Sequence, residues 1–149
     1  MTKSNAWESD LLSLVFNNTT ASGIGDVTGL VGSSTAGVLY VSLHTADPGE
    51  AGNQTTSKAA YTSYARVSVA RNSGQWLISG TAPTQVSNVN TITFPKCTGG
   101  SESATYIGIG TSASGAGKLL YSGVLASPLA ISNNISPFFM AGAIILTEE

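Results

Sequence analysis

From Val38 to the C-terminal end, short apolar alternations return between turn signals and never widen into a helical stripe, at 38–45, 64–71, 75–80, 85–94, 104–111, 117–125 and 136–147. Segments of this length with period-two alternation, punctuated by Gly, Asn and Pro, form strands that bury one face each and pair without crossover helices. The pattern predicts a mainly β fold: an antiparallel β-sandwich or jelly roll, with a barrel as second choice. The run from Pro137 to Leu146 is the most apolar segment and predicts a central strand. Its Ala141-Gly142-Ala143 centre leaves room for another sheet or chain to approach closely.

The stretch Val38 to Arg66 shows the pattern in detail. Leu39, Val41 and Leu43 share one strand face, and Val38, Tyr40, Ser42 and His44 share the other. Asp47-Pro48-Gly49 then ends the strand in a turn, because proline presets its own φ and glycine accepts a positive one. A polar loop follows, and alternation resumes at Tyr64, with Tyr64, Arg66 and Ser68 opposed to Ala65, Val67 and Val69. That is the signature of a half-exposed strand.

The first 36 residues read differently. Asn5 and Glu8 have capping-box spacing, and Trp7, Leu11, Leu14 and Val15 recur at helical intervals, so a helix is predicted over 6–16. At about three turns it is too short to hold alone. Its apolar stripe, Trp7, Leu11, Leu14 and Val15, must therefore dock on the domain or on a neighbouring chain, and these four are the candidate docking residues. From Asn17 to Gly37, Asn, Thr, Ser and Gly dominate, with Ile24, Val27, Leu30 and Val31 as the only anchors, which predicts an extended arm. The expected organisation is a helix and arm over 1–36, needed for attachment but not for folding, and a β-sandwich domain over 37–149.

Charge limits the partners. Only 14 of 149 residues are charged, whereas 38 are Ser or Thr. A folded chain of this mass exposes roughly 7,000 Å², which leaves about one charge per 500 Å². A surface built to stay solitary carries roughly 25–35% charged residues. Coverage by neighbours is therefore expected, as a homotrimer or homodimer. Six Lys and Arg, scattered and outweighed by eight acids, argue against capture of nucleic acid. Without a run of 18 apolar residues or a secretory leader pattern, neither a membrane span nor export is expected, and synthesis in a cytoplasm follows.

Catalytic and metal chemistry lack the residues they need. His44 is the only histidine, and Asp47 beside it is already explained by the turn. One imidazole without a second nitrogen or a thiolate makes a poor zinc site. No Gly-x-Ser-x-Gly elbow accompanies a strand-to-helix turn. The glycines between Gly108 and Lys118 miss phosphate-loop spacing, and Lys118 is followed by Leu119 in place of Ser or Thr, so a hairpin loop is expected there. The lone Cys97 has no partner for a disulfide and is read as an inert thiol. The five tyrosines, with Trp7 and Trp76, fall mostly inside strand patterns and are read as packing groups. No catalytic residue, metal or cofactor is assigned.

Several stretches in combination carry a resemblance. Leu43-His-Thr-Ala-Asp-Pro-Gly-Glu50, Gly52-Asn-Gln-Thr-Thr56 and Ala60-Tyr-Thr-Ser-Tyr-Ala-Arg-Val67 precede Gly74-Gln-Trp76. Phe94-Pro-Lys-Cys-Thr-Gly-Gly100, Ile107-Gly-Ile-Gly-Thr111 and the Ala113 to Gly123 segment follow. From Val38 onward the chain resembles small tailed-bacteriophage virion proteins labelled head decoration (cement) or tail fibre proteins. The resemblance implies a noncatalytic role in the virus particle. The expected function is capsid decoration, in which the protein binds and braces the lattice of major capsid protein on the capsid exterior, after synthesis in the host bacterial cytoplasm. The alternative is a tail fibre or receptor-binding module.

Overall fold

The computed structural model describes residues 3–148, with one helix and nine strands among them: α1 (Asn5–Asn17), β1 (Val38–His44), β2 (Val67–Ala70), β3 (Trp76–Ser79), β4 (Thr84–Asn88), β5 (Ile92–Thr93), β6 (Glu102–Gly110), β7 (Leu119–Ile131), β8 (Phe138–Phe139) and β9 (Ile145–Glu148). The strands form three sheets, ordered β2-β1-β6-β7, β3-β4-β9 and β5-β8. The fold is thus mainly antiparallel β with one short N-terminal helix, consistent with the expected β-sandwich class. The chain divides into two compact units, one holding the residues up to Gly37 with Ala70–Ile92 and those from Phe139 on, the other holding Val38–Val69 and Thr93–Phe138.

The first unit is built on its helix. Ser4 caps α1, its Oγ accepting from the Trp7 N–H at 3.4 Å, and Asn18 closes it in the left-handed conformation with φ 56°. The buried stripe is Glu8, Leu12 and Phe16, spaced i, i+4, i+8, and it packs on β3 and β4. Phe16 meets Trp76 edge-on at 5.0 Å between ring centroids, and both are fully buried. At the end of α1 the Arg71 guanidinium donates to the carbonyls of Leu14, Val15 and Ala36, satisfying two of the orphan acceptors of the last turn. The sequence-predicted stripe Trp7, Leu11, Leu14 and Val15 lies only half-buried beside the true one. An interior glutamate hides this register from a reading that looks for apolar residues alone.

Two expectations are corrected in this unit. The 18–37 segment is an irregular stretch that bridges back on itself in place of the expected extended arm. Asn18 exchanges side-chain hydrogen bonds with Ser33 at 2.7 Å, and Ala21 bridges Leu30. Its anchor is Ala21, fully buried, whereas Val27 is wholly exposed and Val31 is 64% exposed. The predicted central strand over 136–147 is split into β8 and β9, and β9 is an edge of its sheet. The cause is Asn88, whose buried side chain donates to Met140 O at 2.8 Å and accepts from Ile144 N at 2.9 Å, while its carbonyl accepts from Gly142 N. The chain turns around this amide with Gly142 at φ +73°, which a side chain would resist.

The second unit carries the four-stranded sheet. β1 pairs antiparallel with β6, placing Val41 opposite Ile109 and His44 opposite Tyr106, and β6 pairs with β7. Leu39, Val41, Leu43 and Ile109 are buried on one face, as their alternation requires. Tyr64 stacks on Phe94 and meets Tyr61 edge-on, and the Tyr61 hydroxyl donates to Pro95 O at 2.9 Å. These tyrosines are packing groups, as expected. Burial raises both phenols, Tyr61 to about 12. Cys97 is buried with its thiol directed to Gly99 O at 3.2 Å.

Candidate functional site

The 45–57 segment leaves β1 and returns beside it, closed at its neck by Thr45 N–H to Ser57 O at 2.7 Å and Ala59 N–H to Leu43 O at 2.8 Å. Its ends meet, so it behaves as a compact surface loop. At its tip Asp47 Oδ1 accepts from Gly49 N–H at 2.9 Å, confirming the turn reading of that aspartate.

Two side chains tie this loop to the 111–118 hairpin between β6 and β7. Gln54 is fully buried; its N–H donates to Ala116 O at 2.8 Å and its Oε1 accepts from Ser112 N–H at 2.9 Å. Gly110 makes room for it, since a Cβ there would lie 2.2 Å from Gln54 Cδ. Arg66 donates from one guanidinium to Ser112 O at 2.8 Å, Gln54 O at 2.7 Å and Gly115 O at 2.8 Å. Neither residue is among the sequence-predicted site residues. The available signal is a lone arginine in an apolar alternation, in a chain with six bases in all.

Beside the tethered loop lies a groove of about 540 Å³, with Asp47, Gly49, Glu50 and Gly52 on one rim and Tyr106 and the 119–124 part of β7 on the other. Asp47 and Glu50 are exposed on that rim. The volume falls in the range of ligand clefts, roughly 300–1,000 Å³. Carboxylates, a phenol and apolar β7 residues equip it to bind by shape and hydrogen bonding.

Ser42 and His44 look like a nucleophile and base, with Ser42 Oγ 2.9 Å from His44 Nε2, but both are fully buried. His44 Nδ1 lies 2.7 Å from Thr56 O. A carbonyl can only accept, so Nδ1 carries the proton and Nε2 accepts from the Ser42 hydroxyl. The orienting group is thus a carbonyl in place of a carboxylate, and no substrate reaches the pair. The imidazole instead pins the 45–57 loop to the sheet. Burial pushes its pKa below the ordinary value of 6.5, against the raising effect of the Thr56 carbonyl, and the Arg66 charge lowers it further.

This linkage gives a pH prediction. The unfolded chain binds the proton more tightly than the folded one, so stability is full above pH 6.5 and falls as pH is lowered beneath that value towards the depressed folded pKa. Urea midpoints measured down through this window should decline, and His44→Gln should remove that His-dependent part. Identical pH dependence in both proteins would show that His44 is not held neutral by burial.

The candidate docking residues Trp7, Leu11, Leu14 and Val15 sit together on α1, each half-buried, in the other unit from this groove. No three His, Cys, Asp or Glu residues converge as a metal site among the described residues, and no helix there is long and apolar enough to cross a membrane. Among known families, the one described as Podophage GP4 fiber I protein gp80 matches residues 2–147. No curated protein matches the chain. With nearly its whole length matched, the chain belongs to that family of tailed-phage virion proteins labelled as fibre proteins.

Proposed function

We propose that this member of the Podophage GP4 fiber I protein gp80 family is a noncatalytic structural subunit of a fibre on the phage particle, self-associated as a trimer or dimer. The observation that carries the reading is the family match over 2–147. Its buried Ser42–His44 pair and its tethered loop fit a scaffold that presents a groove. Sparse charge favours self-association, because a surface with 14 charged residues in 149 resists burial less than an ordinary one.

The same sparse charge favours a second reading, capsid decoration, in which the protein binds the major capsid protein on the capsid exterior. In that case α1 would dock through Trp7, Leu11, Leu14 and Val15, whose half-burial leaves each some surface for a partner. Many weak contacts multiplied by capsid symmetry would then stabilise the lattice.

Copy number and position separate the two. A fibre subunit is expected in far fewer copies than the major capsid protein, with cryo-electron microscopy density at fibres of the particle. Copies comparable in number to the major capsid protein, with density over capsomer boundaries, would overturn the fibre reading in favour of decoration.

A further inference from the structure

A second, smaller cavity lies beneath the 111–118 hairpin, about 150 Å³ in volume, with Thr55, Lys58, Tyr64, Arg66 and Ser114 among its lining residues. It brings together two of the six basic side chains of a chain whose net charge is −2. No Asp or Glu lines it. Glu102, the acid whose charge reaches Tyr64, is engaged elsewhere, accepting from the Ala60 and Tyr61 N–H groups.

Neither base has a carboxylate at ion-pair distance among the described residues; the ion pair there is Lys3 with Glu148. Arg66 is half-buried, and its three acceptors are neutral carbonyls. Carbonyls satisfy three of the five guanidinium N–H donors and leave the formal charge uncompensated. Lys58 Nζ stands 5.8 Å from the Tyr64 ring centroid, a cation–π placement that holds the ammonium at the cavity. The Tyr64 phenol stays neutral, since burial raises its pKa, and its oxygen is 2.9 Å from Leu43 N.

We propose that the cavity between Lys58 and Arg66 binds a single anionic group, a carboxylate or a phosphate monoester carried on a larger ligand. Volume sets the class. One water needs about 10–15 Å³ by this measure, so an anionic group with a few waters fits, whereas a nucleotide or a drug-sized ligand of the kind that fills roughly 300–1,000 Å³ does not. Two cations also fall short of what a polyanion requires. The site stands on its own charges, independent of the fibre assignment.

The test is an NMR titration of the full chain at low salt with glucuronate, glucose 6-phosphate and, as neutral control, glucose. Saturable shifts at Lys58, Arg66, Ser114 and Gly115 are expected with at least one acid and not with glucose. Added salt should weaken them. Lys58→Gln, which leaves the Arg66 tether intact, should reduce affinity about tenfold, as expected for loss of one close charge. Binding of glucuronate alone identifies a carboxylate source, binding of glucose 6-phosphate alone a phosphate source, and binding of both a site for either. No saturable shift with either acid, equal shifts with glucose, or undiminished affinity in Lys58→Gln would each overturn the proposal.

Discussion

Phe16→Ala is expected to destabilise the α1 unit by about 3–5 kcal/mol, the cost of deleting a large buried aromatic side chain and leaving a cavity. Phe16 is fully buried against Trp76, so the substitution strips the indole of its edge-on partner as well. Trp76 fluorescence should report the loss during urea unfolding. With a denaturant slope of about 1–3 kcal/mol/M, the midpoint falls by more than about 1 M. Leu14→Ala and Val15→Ala, at half-buried positions, should cost clearly less. If all three substitutions cost the same small amount, α1 is peripheral and the expectation of a dispensable 1–36 segment stands; a large loss confined to Phe16 places the helix in the core.

The contrast between these positions also explains how far the sequence could be read. Strand β1 is legible because one alternating face, Leu39, Val41 and Leu43, is apolar throughout, so a local pattern suffices. Helix α1 was legible as a helix but not in its register. Its buried stripe includes Glu8, and Ala21, the anchor that follows it, is too small to stand out from its Ser- and Thr-rich surroundings. The split of the apolar C-terminal run was hidden because its cause, Asn88, lies 52 residues before Met140 in the chain. The turn at Asp47 could be read from three adjacent residues, whereas the link from Arg66 to Ser112 spans 46 positions. Local chemistry is written in neighbours, and long-range hydrogen bonding by polar side chains is not.

Arg66 carries the other large expected effect. Its three hydrogen bonds join the 45–57 loop to the 111–118 hairpin, and hydrogen bonds to a charged group contribute roughly 1.5–3 kcal/mol each. They share one side chain in a half-buried setting that water can partly enter, so they do not simply add, and Arg66→Ala is expected to cost about 3 kcal/mol. The loss should be local as well as global. Amide exchange should accelerate at Ser112, held by the Gln54 side chain, and at Gln54, which donates to Ala116 O. Arg66→Lys should not restore protection, because one ammonium on a flexible stem cannot present the fixed fork that reaches three carbonyls at once. Full rescue by lysine would show that charge alone holds the loops, and unchanged exchange in Arg66→Ala would show that Gln54 holds them without the guanidinium. If the loops loosen as expected, the 540 Å³ groove, whose rim is the tip of the 45–57 loop, loses its fixed shape with them, so any ligand of that groove should bind more weakly to Arg66→Ala although Arg66 does not line it.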